Sequence, residues 1–570
     1  MHVYLEYGLN LPRVLHRGRE QSVARSGGDL HYLQYVYRWI GYRGQTVLLI
    51  TPLFGISFIV LGNMAGNCVA FALYVLRAAG YQGDDLNIGN IRGLALGVAI
   101  CSCFIHAISR RGGIVLNNTL AMFKIAVLVM IIITAIVVSK QKPEYNRWDE
   151  NTGAGVFNKK GEVSGYASAF LSIIFAYSGF EQPNYVLGEI RRPRKTFPRA
   201  TVFGVVTACL LYVAVNISYM VLVPFTACLS ESDNTIAANS TILNTSVAEQ
   251  FFVLAYNDGA ADASGTGCYL GTSAHSSKGY RMFAAFVAVS CLGNIIVMTY
   301  TAARVKQEIA KTGMLPYSKF FADNRDFSVG RFLRWIRDDK QKFRKILRNG
   351  FLSPEQHSEE TPIGAFLLHI GSCIILLLAT AGMSGDNAYS LLTRLYAYVI
   401  NAFNGVLLSS GILILRFFGP AATTDGAIVK WSDMTGTTFR PLLSVTCAVI
   451  YLLGNLWPIF ASWVPQSSNP SSVGQNTAYN AAWWLMPTIS LIVLAVSLLW
   501  FVGFLAYAKR REKTKNEVFT IDRVPEFESS DTPGHEPGAD EDGLVLVHET
   551  VYLDWRALDM MDDQESVKHK

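Results

Sequence analysis

Ten stretches of the chain are nearly free of Asp, Glu, Lys and Arg and rich in Leu, Ile, Val, Ala and Phe. They cover about 47–79, 91–109, 114–138, 166–189, 200–223, 281–303, 362–382, 387–417, 441–463 and 481–508. A hydrocarbon core about 30 Å thick takes roughly 20 helical residues to cross. Open sheet edges find no partners in lipid, so runs of this kind predict helices. The pattern predicts an all-α polytopic membrane protein, with the two longest windows tilted or extended past the bilayer. Residues 2–12, HVYLEYGLNLP, read as the tail of a further helix.

The polar links between windows supply an orientation. Arg13, Arg17, Arg19, Arg25, Arg38 and Arg43 fall in the first link, whereas 81–90 has neither Lys nor Arg. Arg110 and Arg111 come next, followed by a mixed segment at 139–165 and the basic RRPRKTFPR at 191–199. Residues 224–280 contain only Lys278, and 304–348 hold 13 Lys plus Arg. MSGDN (383–387) and 464–480 have none, but Arg416, Lys430 and Arg440 lie between them and KRREK (509–513) opens the tail. Basic loops stay in the cytoplasm, so the alternation predicts both termini inside and 224–280 outside. There, Asn239 and Asn244 are N-x-S/T candidates for glycosylation.

This divides the chain into a helix end and cytoplasmic loop (1–44), a transmembrane domain (45–508), an extracellular loop (224–280) and a basic cytoplasmic loop (304–360). The remainder, 509–570, reads as an acidic, mostly disordered cytoplasmic tail. Within 329–351, Phe332, Trp335, Ile336 and Phe343 recur at near-helical spacing among basic residues. An interfacial helix on the inner leaflet and a solvated basic loop both fit that pattern.

Composition agrees with the windows and narrows the chemistry. Hydrophobic residues make up 51% and charged ones 16%, with mean hydropathy +0.27, against about a quarter charged in soluble domains. The net charge of +6 sits beside the spans, where it orients the chain, and does not point to nucleic acid. Most of the nine cysteines lie in apolar runs and read as small core residues. Cys228 and Cys268 share the long polar loop, where a disulfide between them is open if that side is oxidising. No Cys-x-x-Cys, His-Glu-x-x-His, Gly-x-Ser-x-Gly or phosphate loop occurs, so the sequence predicts no metal, no cofactor and no enzyme activity.

One window is interrupted. FAYSGFEQPNYVLGEI (175–190) places Ser178, Gly179, Glu181, Gln182, Pro183 and Asn184 inside an apparent span. Irregular backbone at membrane depth is tolerated only where it faces protein or a water-filled cavity. Ser178-Gly179 permits unwinding and Pro183 removes an amide donor. The pattern predicts half-helices over Ser164–Tyr177 and about Pro183–Glu189, and such a break is a favoured substrate site in secondary transporters.

These residues also carry a resemblance. F-A-Y-S-G-F-x-x-x-N-Y-V-x-x-E-I-x-x-P-x-x-T-x-P-R-A resembles the sixth-helix motif of the amino acid–polyamine–organocation superfamily. Within it, the similarity is to L-type amino acid transporters and fungal methionine permeases. YLEYGLNLPR (4–13) with SGGDLHYLQYVYR (26–38) resembles its second-helix end and first cytoplasmic loop. GNIIVMTYTAARVKQEIAKTGMLPYSKFFADNR (293–325) resembles its eighth helix and the following loop. The resemblance covers roughly 1–508 and implies a LeuT-like inverted-repeat fold, here lacking helix 1 and most of helix 2, with ten complete transmembrane helices numbered three to twelve. Relative to it, 14–25 and about 327–360 read as insertions; a gene model with a late start and unspliced introns would produce all of these departures.

The resemblance further implies transport of neutral amino acids, methionine or other large side chains, by alternating access. Phe175 would gate the substrate, and backbone groups of Ala176, Tyr177, Ser178 and Gly179 would meet its α-amino and carboxylate ends. Asn63, Gly66 and Asn67 would line the side-chain pocket. Glu181 stands where relatives carry Asn or Asp, and it is a candidate for proton coupling or a hydrogen-bonded structural group. The implied partners are an amino acid substrate, a proton if Glu181 couples, and the bilayer, with the plasma membrane the expected location. A non-transporting, truncated or regulatory homologue is the other reading.

Overall fold

The computed structural model describes the chain except residues 12, 17–18, 23–24, 43–46, 82–85, 144–145, 154–162, 191–192, 224–245, 257–277, 326–328, 340–360, 421–429, 436–438, 466–482, 530–543 and 558–570. All ten apolar windows are helical. Ahead of them lie α1 (His2–Asn10), the antiparallel pair β1 (Arg13–His16) and β2 (Arg19–Ser22), α2 (Asp29–Val36) and the short pair β3 (Gly41–Tyr42) and β4 (Val47–Leu48). The first window forms two pieces, α3 (Ile50–Leu61) and α4 (Ala65–Ala79). They part at Gly62-Asn63-Met64, where the Asn63 side chain accepts from the Ala65 amide at 2.9 Å.

The windows that follow are α5 (Ile88–Ile108) and α6 (Arg110–Gln141), after which α7 (Trp148–Thr152) is a single turn. The interrupted window gives α8 (Val163–Ala176), α9 (Gln182–Tyr185) and a 3-10 turn, Leu187–Glu189. Next come α10 (Pro193–Leu222), α11 (Val247–Tyr256) within the long polar loop, α12 (Lys278–Ala310), α13 (Ser318–Ala322) and α14 (Val329–Asp339). The last spans are α15 (Ile363–Ala379), α16 (Gly385–Tyr396) continued by a π-helical stretch Ala397–Phe403 into α17 (Asn404–Phe418), then α19 (Pro441–Ala461) and α20 (Leu485–Lys515), with the short α18 (Trp431–Thr435) before α19. Among the described residues, eight segments are long and apolar enough to cross a membrane. The other two windows are the broken one and α15, which has 17 residues.

The centre of the bundle is α12, packed against α4, α5, α6, α11 and α15. Small buried residues (Ala65, Cys68 and Ala72 on α4, Ala95 and Ala99 on α5, Ala303 on α12) let these backbones approach, as helix interfaces in lipid require. Large apolar side chains such as Phe203, Leu210, Ile375 and Leu499 face outward, which suits a hydrocarbon surround. The protein is an integral membrane protein of helical type.

Polar contacts sort the loops onto two faces. On one, Arg25 and His31 meet Glu308, Arg110 meets Glu189, and the backbones of Arg325 and Thr361 pair. On the other, Arg77 meets Asp386, Arg281 bonds the carbonyls of Ala78 and Ala79, and Arg92 bonds that of Met383. The loops that share the first face are the basic ones.

The tail departs from expectation. Instead of a mostly disordered segment, β5 (Glu517–Ser529) and β6 (Leu544–Ala557) form an antiparallel hairpin. Val518, Phe519 and Leu553 are buried, and a Cβ added at Gly313 would collide with the Phe519 ring. The tail's average composition is acidic, but these two segments carry enough β-branched and aromatic residues to cover an apolar ledge at Gly313-Met314. In the basic loop, α14 is a helix with Phe332 and Trp335 exposed and stacked at 6.0 Å; the rest of the 329–351 pattern lies outside the described residues. So do Asn239, Asn244, Cys228 and Cys268.

Candidate functional site

The interruption falls at 177–181. The Ser178 amide and its Oγ both bond the Phe175 carbonyl, at 3.2 and 2.8 Å, which ends α8. Gly179 follows at φ +111°, a conformation that any Cβ would strain. The chain re-enters helix at Gln182 with Pro183 in the first turn, where its missing N–H costs nothing. The carbonyl of Ala176 takes the Tyr212 hydroxyl at 3.1 Å. The amide of Gly179 is taken by the Glu181 carboxylate at 2.8 Å, and Gln182 Nε2 donates to the same carboxylate at 3.1 Å. The carbonyls of Tyr177 and Ser178 receive no hydrogen bond among the described residues.

A cavity of about 450 Å³ opens beside this break, and its wall is mainly apolar. Phe170, Ile173 and Ile174 of α8 face Ile450 and Tyr451 of α19 across it, with Phe180 and the side chain of Tyr4 completing that wall. The polar points are Ser178, Glu181, His2, Asn401 and Asn455. Asn455 Nδ2 donates to the Tyr451 carbonyl at 2.7 Å, whereas Asn401 Nδ2 is buried without a partner among the described residues. Asn401 sits in the π-helical stretch, a local widening that often accompanies function.

Of the residues singled out in sequence, Tyr177, Ser178 and Glu181 line the cavity. Phe175, Ala176 and Gly179 form its backbone support, with the Phe175 ring edge-on to Tyr396 at 6.3 Å. Asn63 caps α4 and also donates to the Val60 carbonyl at 2.7 Å. Gly66 abuts Leu392 and Thr393 on α16, and Asn67 donates to the Met298 sulfur at 3.4 Å. None of these three lines the cavity. Asn401 and Asn455 were not singled out, although an asparagine inside an apolar window was signal enough.

The segment after the break is held from several sides. The Gly27 amide bonds the Tyr185 carbonyl at 3.0 Å, and Tyr32 Oη donates to Asn184 at 2.9 Å. Asp29, fully buried at the start of α2, accepts from Tyr185 Oη at 3.0 Å and from Tyr4 Oη at 3.4 Å. Burial, reinforced by the Glu181 charge, pushes the Asp29 carboxyl up to about 7 against the pull of those two hydroxyls. On the α12 side Thr301 donates to Gln182, and Glu189 takes Arg304 at 2.6 Å, Arg110 at 2.7 Å and the Tyr300 hydroxyl.

Comparison with known proteins fits this geometry. The amino acid permease family matches residues 20–492. The high-affinity methionine permease of Saccharomyces cerevisiae is 24% identical over 479 residues, 83% of this chain and 65% of that permease. The low-affinity methionine permease of the same yeast is 23% identical over 332 residues, 58% of this chain and 51% of its own length. The human b(0,+)-type amino acid transporter 1 is 27% identical over 217 residues, 36% of this chain and 40% of the transporter. The chain therefore spans between half and two-thirds of the two yeast relatives. With the family match running through the broken span and the apolar helices from α3 to α19, the chain belongs to the amino acid permease family.

Proposed function

We propose that this protein carries neutral amino acids with large apolar side chains, methionine first, across a membrane by alternating access about the break at 177–181. The observation that carries the reading is the cavity itself. Its volume lies within the usual range for small-molecule sites, its wall is mostly apolar, and it touches a stretch of backbone with free carbonyls. The carbonyls of Tyr177 and Ser178 would accept from the substrate's ammonium group. Its carboxylate would compete with Glu181 for the Gly179 amide. Phe170, Ile173 and Ile450 would take a thioether or branched chain, and Asn401 Nδ2 offers a buried donor to it. Phe175 against Tyr396 is the aromatic contact that would part and re-form as access alternates. The likeness to two methionine permeases supports methionine over other neutral substrates. The basic face would be cytoplasmic and the host membrane the plasma membrane.

Glu181 has a second role to test. Its bonds from Gly179 and Gln182 favour a cap on the break over a proton carrier, and Glu181→Gln keeps one acceptor for that cap. Unchanged proton flux in this variant, with substrate still moving, sinks the coupling role. For the main reading, labelled methionine uptake is measured in permease-deficient cells expressing this exact chain. Uptake above background, competed by leucine and phenylalanine but not by arginine or aspartate, is expected. Background-level uptake with the protein present in the membrane overturns it in favour of a non-transporting homologue.

A further inference from the structure

Lys306 lies on α12 with no exposed surface, and among the described residues the partners of its ammonium nitrogen are His369 Nδ1 at 3.2 Å and Ser372 Oγ at 2.8 Å. His369 is equally buried, and its Nε2 has no hydrogen-bond partner among the described residues. Burying a charged amine normally demands a carboxylate, yet the acids and bases around this one are committed elsewhere. On the same helix Glu308 is taken by Arg25 and Lys311, and Arg304 by Glu189. Facing the pair from α5 are the Cys103 thiol and His106, whose Nε2–H donates to the Ile296 carbonyl at 2.8 Å. From α15 it faces Cys373. The α4 helix adds the buried Cys68 to that group and keeps Arg77 at its far end on Asp386. The α3 segment has no titratable side chain, and Lys319 of α13 is exposed near Asp554.

We propose that Lys306 and His369 form a proton-binding site, holding one proton between them and exchanging it with the basic face as the transporter cycles. Two basic nitrogens this close cannot both carry charge in a dry interior. Access is short: Lys306 is four residues from the end of α12 and His369 six from the start of α15, about 6 and 9 Å of helix. On loading, a proton from water joins one of the two nitrogens; on unloading it returns to water. The link to transport runs through α12, which also carries Thr301, Tyr300 and Arg304, the groups that grip the segment after the break. That link rests on the transport reading above; the proton site itself does not.

The test uses the full chain and the variants Lys306→Met and His369→Gln. Methionine is close to lysine in shape and suits an apolar interior, so Lys306→Met is expected to fold. First, melting temperature is followed from pH 5 to 8 in detergent; the difference between parent and each variant should change with pH. Second, in proteoliposomes, methionine exchange without a pH gradient should persist within about twofold, while uptake driven by an inward proton gradient falls about tenfold, the yield of one pH unit on one proton. A melting difference that is constant with pH overturns the proton site. A pH-dependent melting difference with gradient-driven uptake equal to the parent overturns its place in the cycle. If the parent shows neither exchange nor uptake, the transport reading has failed, and the melting curves still decide the proton site.

Discussion

The two pieces of the broken span are secured by different forces. In α8, Phe170 and Ile173 face the cavity and Tyr166 is exposed, and the side-chain hydrogen bonds reaching its end are those from Tyr212 and Ser178. The 182–189 segment instead meets Gly27, Asp29, Tyr32, Thr301, Arg304, Arg110 and Tyr300 through hydrogen bonds and ion pairs. Apolar contact is non-directional and lets a helix slide or tilt, whereas fixed donor–acceptor geometry does not. The comparison teaches that the segment beyond the break is the anchored half, and we propose that α8 is the half that moves, with Gly179 as the joint between them.

The sharpest way to break this picture is Glu189→Ala. It strands Arg110 and the buried Arg304, and a loss of about 3 kcal/mol in detergent unfolding is expected, the usual cost of removing one partner of a largely buried pair. A loss too small to measure would mean the segment is not anchored there.

Of comparable size is the pH response of Asp29. The folded chain holds this proton up to about pH 7, well above an unfolded Asp at about 4. The stability it contributes is therefore full below about pH 4 and is lost as pH rises towards 7, by at most about 1.4 kcal/mol per unit. Asp29→Asn should flatten that part of the profile; a parallel shift across pH 4–8 would contradict it.

Tyr185→Phe removes one bond to the same carboxyl while keeping the ring, and about 1.5 kcal/mol of destabilisation is expected by thermal melting. The smallest effect separates the joint from the helix before it. Gly179→Ala should cost about 1 kcal/mol because of its left-handed backbone. Gly165→Ala, in α8 with open space around it, should gain about 0.5 kcal/mol. Equal effects at the two glycines would remove the case for a strained joint.

Much of this was legible before the fold. Hydropathy is a local property, so all ten windows are helical and eight are long enough, among the described residues, to cross a membrane, and Ser178-Gly179 with Pro183 marked the break within a residue or two. The second half proved shorter than Pro183–Glu189, because Val186 leaves the helix and 187–189 close as a 3-10 turn. The hairpin at 517–557 was missed because averaging over an acidic tail hid two β-patterned stretches. Asn63 and Gly66 have the small or polar character expected of pocket residues, but their surroundings turn one to capping and the other to packing against α16.

The sequence by itself determined that this chain spans a membrane many times, which loops share a face, where one span must break and which family it belongs to, since each follows from residues close together in the chain. Only the tertiary structure decided that Asp29 of α2 grips Tyr185, that Lys306 finds His369 in place of an acid, and that Asn401 and Asn455 flank the cavity. Those contacts join residues dozens to hundreds of positions apart. The free energy of a buried polar group depends on which partners the fold delivers to it, and no local pattern records that.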